Sequence, residues 1–428
     1  MNNWLLQAAA IAPERAALVT SEGELTYAAL AERSMRIAGA LTAAGVRRDQ
    51  PVAIAVPSGG YYVAVVHGVL LAGAVAVPVD LRLSDEERAR RIPSGAFVID
   101  RPLTEASGAS PAAIELDRTA AIMHTSGTTS DPRPVPLTYA NWLANALGSA
   151  VALGLDRDER WLCPMPLVHV GGLSILLRSA IYATTVVLHG RFDTDAVLEA
   201  LMSVEQRITL VSLVPTMLSR LLDAGLHEPP TLRWALLGGG PIAPALLERA
   251  HEAGVPVAPT YGMTEACSQI ATHGWPLPGV ELRLAPDAEI LVRGAVVSPV
   301  ALASDGWLHT GDLGAFDDRG RLAIIGRKAD TIVSGGENVA PAEVEAVLLE
   351  HPAVADAAVH ARPDPEWGEA VIATVVLANG ASVDAAELQA FTAARIATYK
   401  VPKAIGFADT LPRTVSGKLL RRELQPLD

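Results

Sequence analysis

Short runs of apolar residues, without the alternation of a half-exposed strand, recur through the first half of the chain. They occupy positions 52–56, 74–79, 120–123, 184–188, 210–214 and 234–237. Such runs are typical of strands in parallel sheets that helices cover on both faces. Several end in loops rich in glycine, proline or hydroxyl groups, where ligands of open α/β sheets usually bind. The pattern predicts a large α/β domain of mixed or parallel sheets with flanking helices.

After position 312 the pattern changes to short paired strands and short helices. The predicted elements are strands at 311–316, 321–325, 357–359 and 371–377, and helices that begin at Pro341 and near Asp384. Glu387 would complete a box-like cap on the second of these helices. We therefore predict an N-terminal domain over residues 1–328 and a small α+β C-terminal domain over residues 329–428.

The composition excludes several classes of protein. Half of the 428 residues are hydrophobic and 19% are charged, which favours a globular chain with well-buried sheets over disorder. The formal net charge of -13 argues against nonspecific nucleic-acid binding. The apolar stretch 61–79 contains His67, two glycines and Pro78, so it fits a buried helix and strand better than a membrane span.

The cysteine content and the N-terminus indicate a compartment. Cys163 and Cys267 are too few for a disulfide framework or a four-ligand metal site. The first residues lack the basic and apolar regions of an export signal. We expect a cytoplasmic protein with reduced thiols.

The apolar run 120–123 leads into a loop of small hydroxyl and glycine residues. Its candidate phosphate-binding residues are Thr125, Ser126, Gly127, Thr128 and Thr129. Small side chains let backbone N–H groups approach an anion, and hydroxyl groups add donors. The loop is not a Walker motif, and the one Gly-Lys pair elsewhere, Gly417-Lys418, has Pro412 where such a motif needs its first glycine. Taken alone, the loop is a phosphate site or a solvated turn.

Four further segments follow the loop in order. They are 261–265 (YGMTE), 306–312 (GWLHTGD), 326–338 with its GR and SGGEN, and 412–418 (PRTVSGK). Together the five segments resemble the motifs of the adenylate-forming acyl-CoA synthetase superfamily, the AMP-binding enzymes, over nearly the whole chain. The resemblance implies a ligase that uses ATP and Mg²⁺ to make an acyl adenylate and then a thioester with coenzyme A. It also implies that the C-terminal domain is a mobile lid hinged at Ala329 or Asp330.

The same resemblance assigns roles around the phosphates. Residues 125–129 would cradle the β- and γ-phosphates, and Thr264 would bond the α-phosphate. Glu265 would hold Mg²⁺, a hard cation that suits one carboxylate together with phosphate oxygens and water. Arg133 stands where the family usually has lysine, which keeps the charge without being an equivalent residue. The expected nucleotide site also includes Gly239, Gly240, Tyr261 and Gly262.

Further roles follow for the sugar, the lid and coenzyme A. Asp312 resembles the family aspartate that accepts hydrogen bonds from both ribose hydroxyls, and Arg327 is expected near the ribose. Lys418 resembles the lysine that bridges the acyl carboxylate and the α-phosphate during adenylation. Gly335-Gly336 would let the pantetheine arm of coenzyme A pass close to the backbone.

The acyl pocket is predicted from one segment in the middle of the chain. His169 matches the family's aromatic or histidine gate between the acyl pocket and the thiol tunnel, with a core histidine as the alternative. The continuation 173–179 is similar to the o-succinylbenzoate–CoA ligases of menaquinone synthesis. The expected acid-binding residues are His169, Ser174, Arg178, Gly238 and Met263. Arg178 could pair with a second carboxylate of the acid or could be structural.

The expected substrate is an aromatic acid, with o-succinylbenzoate first and another aryl or medium-chain acid as the alternative. The rival from another class is a regulatory AMP-binding protein without turnover, and intact Glu265, Asp312 and Lys418 argue against it. The expected partners are the acid, ATP and coenzyme A. The sequence leaves open a carrier-protein thiol as acceptor and a homodimer.

Overall fold

The computed structural model describes residues 1–104, 106, 110–125, 133–413 and 419–424. Its strands are β1 (Ala16–Thr20), β2 (Gly23–Thr26), β3 (Pro51–Ile54), β4 (Val75–Pro78), β5 (Phe97–Ile99), β6 (Thr119–His124), β7 (Pro134–Thr138), β8 (Arg160–Cys163), β9 (Thr185–Leu188), β10 (Leu210–Leu213), β11 (Trp234–Leu237), β12 (Val257–Met263), β13 (Ser268–Thr272), β14 (Trp275–Pro276), β15 (Val280–Leu284), β16 (Glu289–Gly294), β17 (Leu308–Phe316), β18 (Leu322–Arg327), β19 (Ile332–Ser334), β20 (Glu337–Val339), β21 (Val354–Asp364), β22 (Gly368–Leu377) and β23 (Ala404–Phe407). Its α-helices are α1 (Trp4–Ile11), α2 (Tyr27–Ala43), α3 (Gly60–Leu71), α4 (Asp85–Arg91), α5 (Tyr139–Leu153), α6 (Val170–Tyr182), α7 (Thr194–Met202), α8 (Pro215–Asp223), α9 (Pro244–Glu252), α10 (Pro341–Leu349) and α11 (Ala385–Ala393).

Two sheets with parallel centres form the first part of the chain. One has the order β14-β13-β12-β11-β10-β8-β9-β1-β2, and the other has the order β5-β3-β4-β6-β7. Strands β8 to β12 pair in parallel, whereas β12 and β13 are antiparallel. Each predicted apolar run overlaps a strand, and β4, β9 and β10 are buried at every position. The sequence prediction of an α/β fold is confirmed. The sheets are mixed because their parallel central strands are followed at an edge by an antiparallel hairpin.

The apolar stretch 61–79 forms the buried helix α3 and the buried strand β4, as predicted. Glycine allows α3 to pack closely on α2, because a Cβ at Gly68 would lie 2.6 Å from Ile37 Cγ2. No helix in the part of the chain that the structure describes is long and apolar enough to cross a membrane.

A third sheet, in the order β15-β16-β17-β18, is antiparallel throughout. The predicted hairpin at 311–316 and 321–325 forms its last two strands. In the register of that hairpin, Asp312 lies directly opposite Arg327. This pairing matters for the site, because it places an acidic and a basic side chain side by side.

The last sheet, β20-β19-β22-β21 with β23 on β22, is formed within residues 332–407 and packs against α10 and α11. β21 is longer than predicted, because it continues through Arg362 and Pro363 in register with β22. The predicted cap on α11 forms only in part. Asp384 accepts a hydrogen bond from Glu387 N at 2.8 Å, whereas the Glu387 carboxylate lies 3.8 Å from His351 Nε2.

The turn Lys328–Asp330, a single 3₁₀ turn between β18 and β19, joins the third sheet to the last one. We call it the linking turn. It lies at the predicted boundary between residues 1–328 and 329–428, and that boundary stays a prediction.

Candidate active site

The predicted phosphate loop connects β6 to β7, at the edge of the five-stranded sheet. Its two ends are joined, because Thr125 N donates to Arg133 O at 3.1 Å and Arg133 N donates to Thr125 Oγ1 at 3.3 Å. Arg133 is exposed. Ser126, Gly127, Thr128 and Thr129 lie outside the described residues, so the phosphate-binding role of the loop stays a prediction.

The glycines 238–240 follow β11, and the motif Tyr261 to Glu265 ends the neighbouring strand β12. Because parallel strands end at the same edge of a sheet, the two segments lie beside each other. A Cβ at Gly238 would lie 2.7 Å from Thr260 Cγ2, so β11 and β12 approach closely where they end. The predicted contacts of Gly238, Gly239 and Gly240 with ligands stay predictions.

Gly262 is required by the backbone itself. The pairing of β12 with β13 shifts between Tyr261 and Gly262, and a Cβ on Gly262 would lie 1.7 Å from the carbonyl oxygen of Ser268. Any larger residue would push the two strands apart. The glycine therefore fixes how Thr264 and Glu265 are presented in the turn that follows.

Thr264 and Glu265 lie in a 3₁₀ turn directly after β12. The turn is held from behind, since Ser298 N donates to Glu265 O at 2.8 Å and Ser298 Oγ donates to Pro136 O at 2.6 Å. The described residues contain no cluster of three or more potential metal-binding side chains. A Mg²⁺ ion at Glu265 would therefore take its other ligands from phosphate oxygens and water, as this cation prefers.

Asp312 is the centre of a buried polar group. Its Oδ2 accepts a hydrogen bond from the Tyr261 hydroxyl at 2.8 Å, and its Oδ1 lies 2.8 Å from Arg327 Nε. Burial and the neighbouring Asp312 charge raise the pKa of Tyr261, so the phenol remains a donor. A carboxylate accepts hydrogen bonds through both of its oxygens, which is the chemistry expected of a group that binds ribose hydroxyls. Three predicted nucleotide residues thus meet at one carboxylate.

His169 is half-buried and immediately precedes α6. It lies near the Asp80 carboxylate, which Arg82 holds with Nε at 2.8 Å and Nη2 at 2.6 Å. Burial alone would raise the pKa of Asp80, but the Arg82 hydrogen bonds and the nearby His169 lower it. The sequence did not indicate Asp80, which follows β4 and is a polar neighbour of the predicted gate.

The predicted acid-binding residues of α6 are buried. Ser174 Oγ donates to Gly171 O at 2.9 Å, one turn earlier in the chain. Arg178 is 2% exposed, donates through Nη2 to Asn145 Oδ1, and has its guanidinium carbon 5.6 Å from the Trp161 ring centroid. Its Nε has no hydrogen-bond partner among the described residues. Burial lowers the pKa of Arg178, and the nearby Tyr182 and Cys267 oppose this shift.

Cys267, whose electrostatic influence reaches Arg178, directly follows the turn at Glu265. Met263 is half-buried at the end of β12 and packs against the core of the third sheet. The acid-binding roles of Ser174, Arg178 and Met263 stay predictions.

Gly335 and Gly336 form the two-residue loop between β19 and β20. Both have positive φ, at 60° and 87°, as the tight hairpin turn of this length requires. Gly335 N donates to Trp367 O at 2.8 Å, and a Cβ at Gly335 would lie 2.8 Å from Trp367 Cε3. The space beside Gly336 is open. The loop is a hairpin turn in structure, and its role toward coenzyme A stays a prediction.

Lys418 lies outside the described residues. The chain on both sides of it is anchored, since Arg413 pairs with Leu419 in an isolated β-bridge and Leu420 N donates to Pro412 O at 2.9 Å. Arg413 also holds the Asp356 carboxylate, with both oxygens 2.8 Å from Nη2.

Comparison with known proteins identifies the class of this site. A model described as AMP-binding enzyme matches residues 5–96 and 95–298, and one described as AMP-binding enzyme C-terminal domain matches residues 343–418. The chain belongs to the AMP-binding enzyme family. The resemblance inferred from the sequence motifs is thereby confirmed, and a non-enzymatic relative is not favoured.

Two curated or solved relatives resemble this AMP-binding enzyme over its full length. The 2-succinylbenzoate–CoA ligase of Bacillus licheniformis is 39% identical over 476 residues, with 99% of each chain covered. The o-succinylbenzoate CoA synthetase of Bacillus subtilis, in complex with its acyl-adenylate intermediate, is 37% identical and covers 100% of this chain and 99% of its own, with a TM-score of 0.90.

The Bacillus subtilis protein has been solved in other complexes. With ATP and magnesium ion it matches with a TM-score of 0.89, at 37% identity and 99% coverage of both chains. A double mutant bound to a product analogue matches with a TM-score of only 0.72, at 38% identity and with 99% of this chain and 98% of its own covered. The arrangement of this AMP-binding enzyme is therefore closer to the ATP and acyl-adenylate complexes.

Proposed function

We propose that the protein is an o-succinylbenzoate–CoA ligase of menaquinone biosynthesis, which uses ATP and Mg²⁺ to form an acyl adenylate and then transfers the acyl group to coenzyme A. The full-length similarity to the 2-succinylbenzoate–CoA ligase of Bacillus licheniformis carries this proposal. The family membership supports the ligase class, and the Asp312 group supports nucleotide binding.

The first half-reaction brings a carboxylate to the α-phosphorus of ATP, and both groups are anionic. The site must therefore offset negative charge before the reaction can occur. Thr264 and Glu265 follow Tyr261 in the chain, and the Tyr261 hydroxyl contacts Asp312, which would hold the ribose. Mg²⁺ held by Glu265 would supply charge at the phosphates, and Lys418 would bridge the acyl carboxylate and the α-phosphate.

The acid itself is inferred from the buried guanidinium on α6. No described carboxylate pairs with Arg178, although a buried charge is normally paired. o-Succinylbenzoate carries two carboxylates, so one can react while the other pairs with Arg178. The second carboxylate would distinguish this acid from benzoate and from medium-chain fatty acids.

The two half-reactions would use two poses of a lid that begins near the linking turn. Lys418 and Gly335-Gly336 would serve different steps, so each would face the site in its own pose of the lid. The lower TM-score of the product-analogue complex supports a second pose in the relative. Ala329 lies between two anchored residues, because Lys328 pairs with Asp287 and Asp330 pairs with Arg421. We therefore assign the pivot to Ala329.

Acid-dependent pyrophosphate release and CoA consumption test the assignment. With o-succinylbenzoate, kcat/KM should exceed the values for benzoate and hexanoate by much more than the roughly 10 to 200-fold that a missing methylene gives, because unpaired polar groups reject poor analogues strongly. Comparable rates on benzoate would overturn the substrate and leave the ligase class intact. Absence of pyrophosphate release with every acid would overturn the enzyme itself.

We also propose a cytoplasmic location, supported by the two free cysteines, Cys163 and Cys267, both of which are buried. Sedimentation would test for a homodimer, and a panel of thiol acceptors would test for use of a carrier-protein thiol.

A further inference from the structure

Glu289 is a buried carboxylate that the predicted site did not include. It begins β16, in the middle of an antiparallel sheet, and its side chain is only 9% exposed. A buried charge needs compensating partners. The partners of Glu289 come from two parts of the molecule with different roles.

One partner is the backbone beside the ribose-binding aspartate. Gly311 N donates to Glu289 Oε1 at 2.9 Å, and Gly311 immediately precedes Asp312. The other partner is the linking turn, because Lys328 Nζ donates to Glu289 Oε2 at 3.1 Å. Lys328 Nζ also lies 2.5 Å from Asp287 Oδ2. His309 Nδ1 is 3.5 Å from Glu289 Oε2 and completes the surroundings of the carboxylate.

Glu289 is held in its charged form by these contacts. Burial alone would raise its pKa, but the hydrogen bond from Gly311 and the charge of Lys328 lower it. The ionised carboxylate therefore fixes two donors at once. Within the described part of the chain, none of its partners Gly311, Lys328 and His309 is a residue predicted to touch the reacting atoms.

The other end of the linking turn is held differently. Arg421 Nη1 donates to Asp330 Oδ2 at 3.1 Å, while Arg421 Nη2 donates to both oxygens of Glu345 on α10, at 2.7 and 2.8 Å. The turn is thus anchored to the ribose-binding sheet before Ala329 and to the last sheet and its helix after Ala329. Any rotation at the turn starts from the position that Glu289 gives to Lys328.

We propose that Glu289 is a positioning residue, which fixes Lys328 of the linking turn to the strand that carries Asp312 and so sets the angle of the lid over the nucleotide. The proposal rests on the two-step ligase function. Loss of Glu289 leaves the ribose contacts of Asp312 in place and lets the linking turn drift. Nucleotide affinity is then kept, whereas the rate of adenylation falls.

The test measures acid-dependent ATP–pyrophosphate exchange for Glu289→Gln, Lys328→Met and Asp287→Asn. Glu289→Gln should lower kcat about tenfold, as expected for loss of a hydrogen bond to a charged group, with the KM for ATP changed less than about twofold. The half-exposed Lys328→Met and Asp287→Asn changes should lower kcat by about two- to fivefold, because exposed ion pairs contribute less. The double variant Glu289→Gln/Lys328→Met should fall no further than Glu289→Gln alone.

Glu281→Gln is the matched control, because Glu281 forms an exposed cross-strand ion pair with Arg293 on the same sheet, away from the turn. It should leave both kinetic constants unchanged. A raised KM for ATP with unchanged kcat in Glu289→Gln would show that Glu289 only supports Asp312. A kcat of the double variant that falls by the product of the two single effects would show that Glu289 and Lys328 act separately. Either result overturns the proposal.

If Glu289→Gln does not fold, Lys328→Met and Asp287→Asn decide the question alone, because both side chains are half exposed. Unchanged kcat in both would then overturn the proposal. Failure of the substrate assignment is distinguished by the wild-type protein, which would show no exchange with o-succinylbenzoate. In that case the same variants are assayed with whichever acid of the panel supports exchange.

Discussion

The Arg178→Met variant tests whether the guanidinium of Arg178 binds the substrate or only supports the fold. The change keeps an unbranched apolar side chain in the space that the arginine stem occupies. It removes the charge, the contact with Asn145 and the Nε group that has no partner among the described residues. If the second carboxylate of o-succinylbenzoate pairs with Arg178, the variant leaves that carboxylate buried without a partner.

The magnitude follows from the burial of Arg178, which is 2% exposed. Removing one partner of a buried ion pair costs about 3–5 kcal/mol, which corresponds to a loss of roughly 10² to 10⁴-fold in kcat/KM for o-succinylbenzoate. Benzoate lacks the second carboxylate, so its kcat/KM should change much less. The ratio of the two values, measured by pyrophosphate release, is therefore the decisive quantity.

Thermal unfolding provides the second measurement. Without substrate the guanidinium is desolvated and has no described carboxylate partner, so Arg178→Met should leave the Tm unchanged or raise it. Arg233→Met is the control, and the opposite changes in Tm and acid preference are expected for it. Arg233 pairs with Glu159, whose side chain is 3% exposed, so its loss should lower the Tm and leave the acid preference unchanged. A lowered Tm with an unchanged acid preference in Arg178→Met would refute the substrate role.

The remaining predictions concern the metal, the two half-reactions and the ribose. Glu265→Gln should weaken Mg²⁺-dependent adenylation by orders of magnitude, and unchanged activity at limiting Mg²⁺ would remove Glu265 from the site. Lys418→Ala should abolish adenylation and spare thioester formation from a supplied acyl adenylate. Gly336→Leu should spare adenylation and block thioester formation. Gly336→Asn is its control for backbone strain, because asparagine tolerates positive φ. Equal loss of both half-reactions in folded Lys418→Ala and Gly336→Leu would contradict the two-pose mechanism. Tyr261→Phe should raise the KM for ATP about tenfold through loss of its hydrogen bond to Asp312, and an unchanged KM would count against that contact.

Strands buried on both faces were the part of the fold that the sequence predicted well. β4, β9 and β10 are apolar at nearly every position because both faces are covered, and such runs stand out from their surroundings. The arrangement of those strands in two separate sheets was not predictable, because each run is equally suited to either sheet. The strands β15 and β16 lack such a run, because β15 alternates apolar and polar residues and the apolar run of β16 is only three residues long.

The residues of the candidate site were likewise predicted only in part. The motifs predicted Tyr261, Asp312 and Arg327, and the register of one hairpin explains why two of them meet. Glu289 was missed because a single acidic residue at the start of a strand is usually exposed. Its role depends on Gly311 and Lys328, which become its neighbours only when the sheet forms.

The burial of the two cysteines determines how this enzyme can be assayed. Burial raises the pKa of Cys163 to about 12 and raises that of Cys267 as well, so neither forms a thiolate at neutral pH. A thiol reagent added to the folded protein should therefore react with coenzyme A alone. Consumption of the free thiol can be followed continuously without background from the protein. Slow labelling of the two cysteines would then report unfolding, and the same reagent would measure turnover and stability in every variant.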